Sequence, residues 1–430
     1  MKFKRTKFFK EFYRINFPIF ISQSILVTLS ILNSVIFGQL GEKVISSIAI
    51  VDKINSIYWP IISGIATVMT IYFIQYTGNN NRKGIKITFI FSNYLMIGIS
   101  IIVFSVIWIF GKQLISFYTN DINLLNDSFF YLWFIGFSNI IATCTYSLIT
   151  YFNGVGKVKE SSIIAVVQTL ISFVLYYLFV IKFNYGFLKG IRGIAVAITI
   201  TKTLEFLFYF WIYKKRFSLR NIEFSKNELL KLKGINRKIF PLILNNLMFM
   251  IASNLIFIGF SKMGAKETTA VGITDSLLGN FGLLLTGIVT SSKIIIGTYL
   301  GKNKMNTSFI YSKVLIKIVL CFSLFSTVMM NILSKSYLNF FKIDNSTLEI
   351  ARNLVFIGSI IFIIKMLNSI IVDGILRIGG DIKRPLYHDL FGILIFGVGI
   401  SIVFTRIIKV PIEYLYLFIS FNELIRFILN

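Results

Sequence analysis

The stretch GQLGEKVISSIAIVDKI at 38–54 is answered 223 residues later by SKMGAKETTAVGITDSL at 261–277, and that correspondence decides the fold. At the same offset Pro18 meets Pro241, Gly41 meets Gly264 and Asp52 meets Asp275, while Gly64, Gly78 and Gly156 meet Gly287, Gly301 and Gly379. Glycine makes up roughly 7% of ordinary sequences, so each glycine match would arise by chance about one time in fifteen. The alignment runs without a gap for about 140 positions. An internal duplication inside a very apolar chain is how many secondary transporters are built.

The solvent of this chain is lipid. Its residues are 56% hydrophobic and its mean hydropathy is +0.78, against about 45–50% apolar residues in soluble domains. Apolar runs long enough to cross a bilayer recur throughout. They predict six spans in the first half, at 14–36, 47–75, 85–110, 128–152, 161–183 and 191–213. The second half has six more, at 237–260, 269–296, 311–333, 351–375, 386–407 and 411–429. An even number per copy gives both copies one orientation, hence a pseudo-twofold axis along the membrane normal. The expected fold is therefore an all-α integral membrane protein of twelve transmembrane helices in two six-helix lobes. Its expected domains are 1–213, a basic cytoplasmic linker at 214–236, and 237–430.

The net charge of +26 is a matter of topology. The N-terminal side and the loops that share it carry 27 Lys and Arg, the opposite loops carry 12, and Lys53, Lys202, Lys293, Lys317 and Lys365 fall inside spans. By the positive-inside rule both termini are cytoplasmic, with some attraction to anionic lipid in addition. No nucleic-acid partner is expected. Residues 1–14, MKFKRTKFFKEFYR, mix basic and aromatic side chains in the manner of an interfacial helix. In the linker, Ser225 and Glu228 form a capping-box pattern ahead of Leu229, Leu230 and Leu232, which suggests a short amphipathic helix or a plain basic tether.

Enzymatic chemistry is not expected. His388 is the only histidine, so an HExxH metal site is excluded and a histidine-based triad is improbable; no GxxxxGK phosphate loop occurs. Cys144 and Cys321 lie inside spans and do not suggest a disulfide. Neither a cofactor nor a metal is expected, and transport must run on an ion gradient or downhill.

Charges inside spans carry the chemistry, since each costs about 2.5–3.5 kcal/mol at the bilayer centre on insertion scales. Asp52 and Asp275 come first, one in each copy. Helical spacing places Ser56, Trp59, Ser63, Thr67 and Thr70 on the Asp52 face, and Gly279, Gly282, Thr286, Thr290 and Lys293 on the Asp275 face. Such a stripe suits a cavity wall; the plainer alternative pairs Asp52 with Lys53 or a loop lysine. Asp373 follows Lys365 and Ser369 at successive i+4 positions, as an ion carrier or, more conservatively, a partner of Arg377. Glu205 has Lys202 one turn before it. Asn33, Asn245 and Asn246, with Ser22, Gln23, Ser30, Ser253 and Asn254, line spans 1 and 7; interhelical hydrogen bonds explain most of them, and some can meet substrate. Pro60 should kink span 2, while its mate Leu283 sits among Gly279, Gly282 and Gly287.

These segments resemble the multidrug and toxic compound extrusion (MATE) transporters of the NorM/DinF-like kind. The resemblance is carried by residues 38–54, by SGIATVMTIYFIQYTGNN at 63–80 and by GIRGIAVAITITKTLEFL at 190–207. In the second half it is carried by 261–277, IIIGTYLGKNK at 294–304 and ILRIGGDIKRPLYHD at 375–389. It implies two six-helix lobes around a V-shaped cleft and alternating access. It further implies export of cationic or amphiphilic compounds from a bacterial plasma membrane, in exchange for protons or sodium, by a monomer. Many relatives have an acid in helix 1 where this chain has Asn33, and several have one in helix 7, where residues 237–260 have none. An amide cannot carry a proton at physiological pH. That leaves Asp52, Asp275, Asp373 and Glu205 as the intramembrane acids available for coupling. A flippase of lipid-linked saccharides shares the architecture and is the alternative; it would use Lys293 and Lys365 to hold phosphate.

Overall fold

A computed structural model describes the backbone at every position except 1, 39–41, 119–120, 183–189, 218–225, 262, 340–343 and 405–409. Side chains at 2–5, 30–38, 42, 43, 45, 49, 216, 217, 226–236, 261 and 265 also lie outside the description. Every element among the described residues is helical. In the first half these are α1 (Lys2–Gly38), α2 (Glu42–Asn55), α3 (Tyr58–Gly78), α4 (Arg82–Ser116), α5 (Ile122–Gly154), α6 (Val158–Tyr177, extended by a π-helical turn at Leu178–Lys182) and α7 (Ile191–Phe217). Then come α8 (Lys226–Ser261), α9 (Ala265–Gly301), α10 (Met305–Leu338) and α11, which runs Asn345–Ser369 and continues through a π-helical stretch Ile370–Leu376 to Gly379. α12 starts at Lys383–Leu390 and continues through a second π-helical stretch, Phe391–Gly399, to Val403; α13 is Ile412–Leu429. The twelve expected spans each map onto one of these helices, with α2 and α3 together forming span 2. Ten of the described helices are long and apolar enough to cross a membrane.

The repeat is written into the backbone. Asn80 and Asn303, 223 residues apart, both adopt left-handed conformations, with φ of 53° and 55°. Around them Asn80 N–H bonds Thr77 O and Asn81 N–H bonds Tyr76 O; Asn303 and Lys304 bond Leu300 O and Tyr299 O in the same pattern. This is the Schellman closure of a helix C-terminus, made by asparagine where glycine is commoner. Further along, the offset becomes 224. The left-handed glycines are Gly156 and Gly380, rather than the Gly379 that the ungapped alignment pairs with Gly156.

Span 2 is interrupted at Ser56 and Ile57, one turn before Pro60. Proline lacks the N–H that would bond the carbonyl four residues back, and its ring collides with that carbonyl, which belongs to Ser56. The last bonds before the break are Ser56 N–H to Asp52 O at 2.8 Å and a long Ile57 N–H to Ile54 O at 3.4 Å. The equivalent α9 runs unbroken, and a Cβ placed on Gly279 would meet nothing within 4 Å, so it is not a packing glycine. Close packing belongs instead to Gly64, where a Cβ would lie 2.9 Å from the Ile243 backbone nitrogen.

Contacts divide the chain into two compact units, Phe17–Ile243 and Leu244–Asn430 together with Met1–Asn16. The first unit packs around Val51, Ile115, Leu132, Ile194 and Ala195; the second around Ala270, Val271, Ala351, Leu354 and Leu415. Residues 2–14 do not form a separate interfacial helix. They are the first turns of α1, and they pack onto α9 and α10: Phe8 is buried against Tyr311, Tyr299 donates to Glu11 at 3.1 Å, and Ser291 donates to Asn16 at 3.3 Å. Ser225 lies outside the described residues, and the helix beyond it continues into span 7 without a break as α8.

Candidate functional site

Most polar side chains predicted to line cavities spend their hydrogen bonds locally. On the Asp52 stripe, Ser56, Ser63, Thr67 and Thr70 each donate to a carbonyl of their own helix three or four residues back. Ser22, Ser253 and Asn254 do likewise, and the interhelical bonds expected of them are not made among the described residues. A hydroxyl that back-bonds needs no neighbour, which is why such residues are tolerated on any face.

The two repeat-related acids are both exposed. Asp52 lies at the end of α2. Its charge is felt by buried Tyr131 on α5. One turn on, Asn55 accepts from Asn139 at 2.7 Å, and Tyr58 is buried in hydrogen bonds with Ser100 (2.7 Å) and Thr143. In the second unit, Asp275 on α9 accepts from Tyr416 on α13 at 3.3 Å and feels the ammonium of Lys365 on α11. Glu205 is buried and paired with Lys202 at 3.0 Å. Asn246 is half-buried, and the side chain of Asn33 is outside the described residues.

The densest chemistry lies in the second unit, where four helices meet. Arg377, buried at the end of the α11 π-helical stretch, donates to Asp373 at 2.6 Å and to the Asn245 carbonyl oxygen on α8 at 2.9 Å, and pairs with Asp389 on α12 at 3.6 Å. The Asn245 amide donates in turn to Asp389 at 3.1 Å. Arg426 on α13 closes the other side of Asp389, from Nε at 2.8 Å and from its second nitrogen at 2.7 Å, and holds Glu423 at 3.0 Å. Asn368 on α11 donates to Glu423 at 2.8 Å. Lys293 on α9 acts on Asp373 electrostatically without forming an ion pair among the described residues. Three carboxylates therefore face two guanidiniums in a cluster that is buried except at the part-exposed Asp373, and each guanidinium reaches at least two acceptors, as buried arginines require.

The sequence pointed to Asp373 and Asn245 but not to Asp389, Glu423, Arg426 or Asn368. Arg377 and Arg426 are structural charges rather than topological ones; taking both from the 27 leaves 25 against 12, so the sign of the bias stands. Asn245 corresponds to Ser22 and, at the offset of 224 that pairs Gly156 with Gly380, Asp373 and Arg377 correspond to Ile149 and Asn153, so these three have no charged counterpart in the first half. Two of the three π-helical segments described lie at the cluster: Asp373 is within one and Asp389 is two residues before the other. Such local widening of a helix recurs at functional sites.

Among the described residues every element is helical, and membrane-length segments with an internal duplication and buried ion pairs between helices are those of a multi-pass membrane protein. The MatE family profile matches residues 18–178 and again 241–405, two starts separated by the same 223 residues as the repeat. The chain belongs to the MatE family, a family of transporters and not of enzymes. It is 25% identical over 407 residues to the probable multidrug resistance protein NorM of Bacillus licheniformis, covering 92% of this chain and 88% of that one. It is 22% identical over 431 residues to the uncharacterized transporter YisQ of Bacillus subtilis, covering 97% and 92%. Among solved structures, a mutant of the Vibrio cholerae MATE transporter VcmN superposes with a TM-score of 0.86 at 14% identity, over 99% of this chain and 95% of that one. A MATE structure in complex with MaL6 gives 0.85 at 16% identity over 97% and 94%.

Proposed function

We propose that this protein is a proton- or sodium-coupled antiporter that exports organic cations or amphiphilic drugs across the bacterial plasma membrane by alternating access, with both termini in the cytoplasm. The observation that carries this reading is the buried cluster of Asp373, Asp389 and Glu423 with Arg377 and Arg426, set where α11 and α12 widen into π-helical turns. A proton or sodium ion arriving at Asp373 competes with Arg377 for the same carboxylate. Its binding frees the guanidinium, unsettles Asp389 and alters how α8, α11, α12 and α13 hold together. Buried charges with two alternative partners are a physical basis for a two-state element that an ion can bias.

Asp52 and Asp275 are the acids left open to receive a cationic substrate. Each is an exposed carboxylate inside a predicted span, which suits the positive charge of an organic cation. The relatives named as multidrug resistance proteins support this choice of substrate class. The lipid-linked saccharide alternative is less well supported. Each of its two lysines has a carboxylate acting on it electrostatically, Asp275 on Lys365 and Asp373 on Lys293, which lowers the positive potential offered to a phosphate.

Transport of ethidium by the purified protein in proteoliposomes under an imposed proton or sodium gradient tests the reading. Asp52→Asn together with Asp275→Asn is expected to abolish gradient-driven efflux. Efflux at the wild-type rate from the double variant would remove both acids from the substrate path.

A further inference from the structure

Lys317, inside a predicted span, is explained by neither topology nor transport, and Lys313 lies one turn before it. Both are exposed on α10. They line a groove of about 930 Å³ between α10 and the first turns of α1, with Phe8, Phe9, Tyr311 and Phe322 among its walls. That volume is at the upper end of the 300–1,000 Å³ usual for ligand sites. Among the described residues the lining includes two lysines and no acid. Lys313 rests over the Phe309 ring at 4.4 Å, and Lys317 has no partner among the described residues. The only acid in residues 1–16, Glu11, is engaged by Tyr299.

We propose that this groove holds an anionic phospholipid of the leaflet facing the N-terminus, with its acyl chains on the aromatic floor and its phosphate between Lys313 and Lys317. Depth agrees with that assignment. At about 1.5 Å per residue, α10 is some 50 Å long, roughly 20 Å more than the hydrocarbon core, and Lys313 lies about 12 Å from its start. That is the level of the headgroups, and Lys317 reaches the same level by extending its stem toward the interface. Charge decides among occupants. An organic cation is repelled by two lysines, a neutral lipid leaves both charges uncompensated, and a second copy docking the same face would bring lysine against lysine. Exposed Lys7 and Lys10, on a segment with six basic residues between 2 and 14, add positive potential beside the groove.

The test uses the full-length protein in detergent, with palmitoyl-oleoyl phosphatidylglycerol and phosphatidylcholine as probes and bound lipid read by native mass spectrometry. Wild type is expected to retain phosphatidylglycerol over phosphatidylcholine by about tenfold or more, the scale set by two lysines at a membrane surface. Lys313→Gln with Lys317→Gln should lose that preference. Lys313→Arg with Lys317→Arg should keep it, as should Lys302→Gln with Lys304→Gln at the same end of the molecule. Equal retention of the two lipids by wild type, or an undiminished preference in the double glutamine variant, overturns the proposal. A second measurement leaves the lysines untouched. Bimane attached to Cys321, which is exposed and lines the groove, is read in a Cys144→Ser background reconstituted into vesicles. Brominated phosphatidylglycerol should quench it several-fold more than brominated phosphatidylcholine at equal content. Equal quenching, or protection of Cys321 from labelling by ethidium, contradicts the assignment.

Discussion

Arg377→Ala is expected to destabilise the protein by about 3–5 kcal/mol, the cost of stranding a buried carboxylate when its partner is removed. The side chain of Arg377 is 9% exposed and that of Asp389 6%, while Asp373 is 31% exposed and Asp389 keeps Arg426, so the loss is felt at the lower end of that range. Asp373 loses its 2.6 Å contact, and the Asn245 carbonyl oxygen loses its donor. The measurement is an unfolding titration in mixed micelles. Asp373→Asn combined with Arg377→Ala should cost less than the sum of the two single changes, because the stranded charge is gone. An Arg377→Ala protein within about 1 kcal/mol of wild type would mean that the cluster is hydrated and contributes little.

Gly392→Leu is the second large effect. A Cβ at Gly392 would lie 2.5 Å from Arg426 Cγ, 3.0 Å from its Cδ and 3.4 Å from the Asn422 carbonyl oxygen. The obstructed atoms belong to the stem of Arg426, which cannot swing away without releasing Asp389 and Glu423. Overpacking alone costs about 1–3 kcal/mol, and losing the Arg426 pairs adds to it. Gly279→Ala is the control, since nothing lies within 4 Å of a Cβ there. It should be neutral, or more stable by up to about 1 kcal/mol through helix propensity. Equal effects at the two glycines would contradict the packing described around Arg426.

What repeats and what is periodic is legible in the sequence. The 223-residue offset, the twelve spans and the acids at 52 and 275 all follow from patterns along the chain. The break in span 2 is legible too, though its place is not. Proline acts on the carbonyl four residues before it, so the helix yields at Ser56 rather than at Pro60. The first turns of α1 escape such a reading because a basic, aromatic segment has one pattern whether it lies on a membrane or packs through Phe8 against Tyr311. The charge cluster is the largest omission. Its decisive contacts join residues 132, 144 and 37 apart, and helical spacing reports only neighbours within a turn. One clue is present in the sequence: Glu423 and Arg426, three residues apart in the last span, form a charged pair where lipid would penalise it.

Coupling of export to an ion gradient by the second-half cluster is tested most directly by ethidium transport with the Asp373→Asn protein in proteoliposomes, measured downhill and then against an imposed gradient. Downhill exchange is expected to persist, while uphill transport falls by about tenfold or more, within the range of ordinary coupling energies. Uphill transport at the wild-type rate, with the variant shown to be folded, would contradict a coupling role for the cluster.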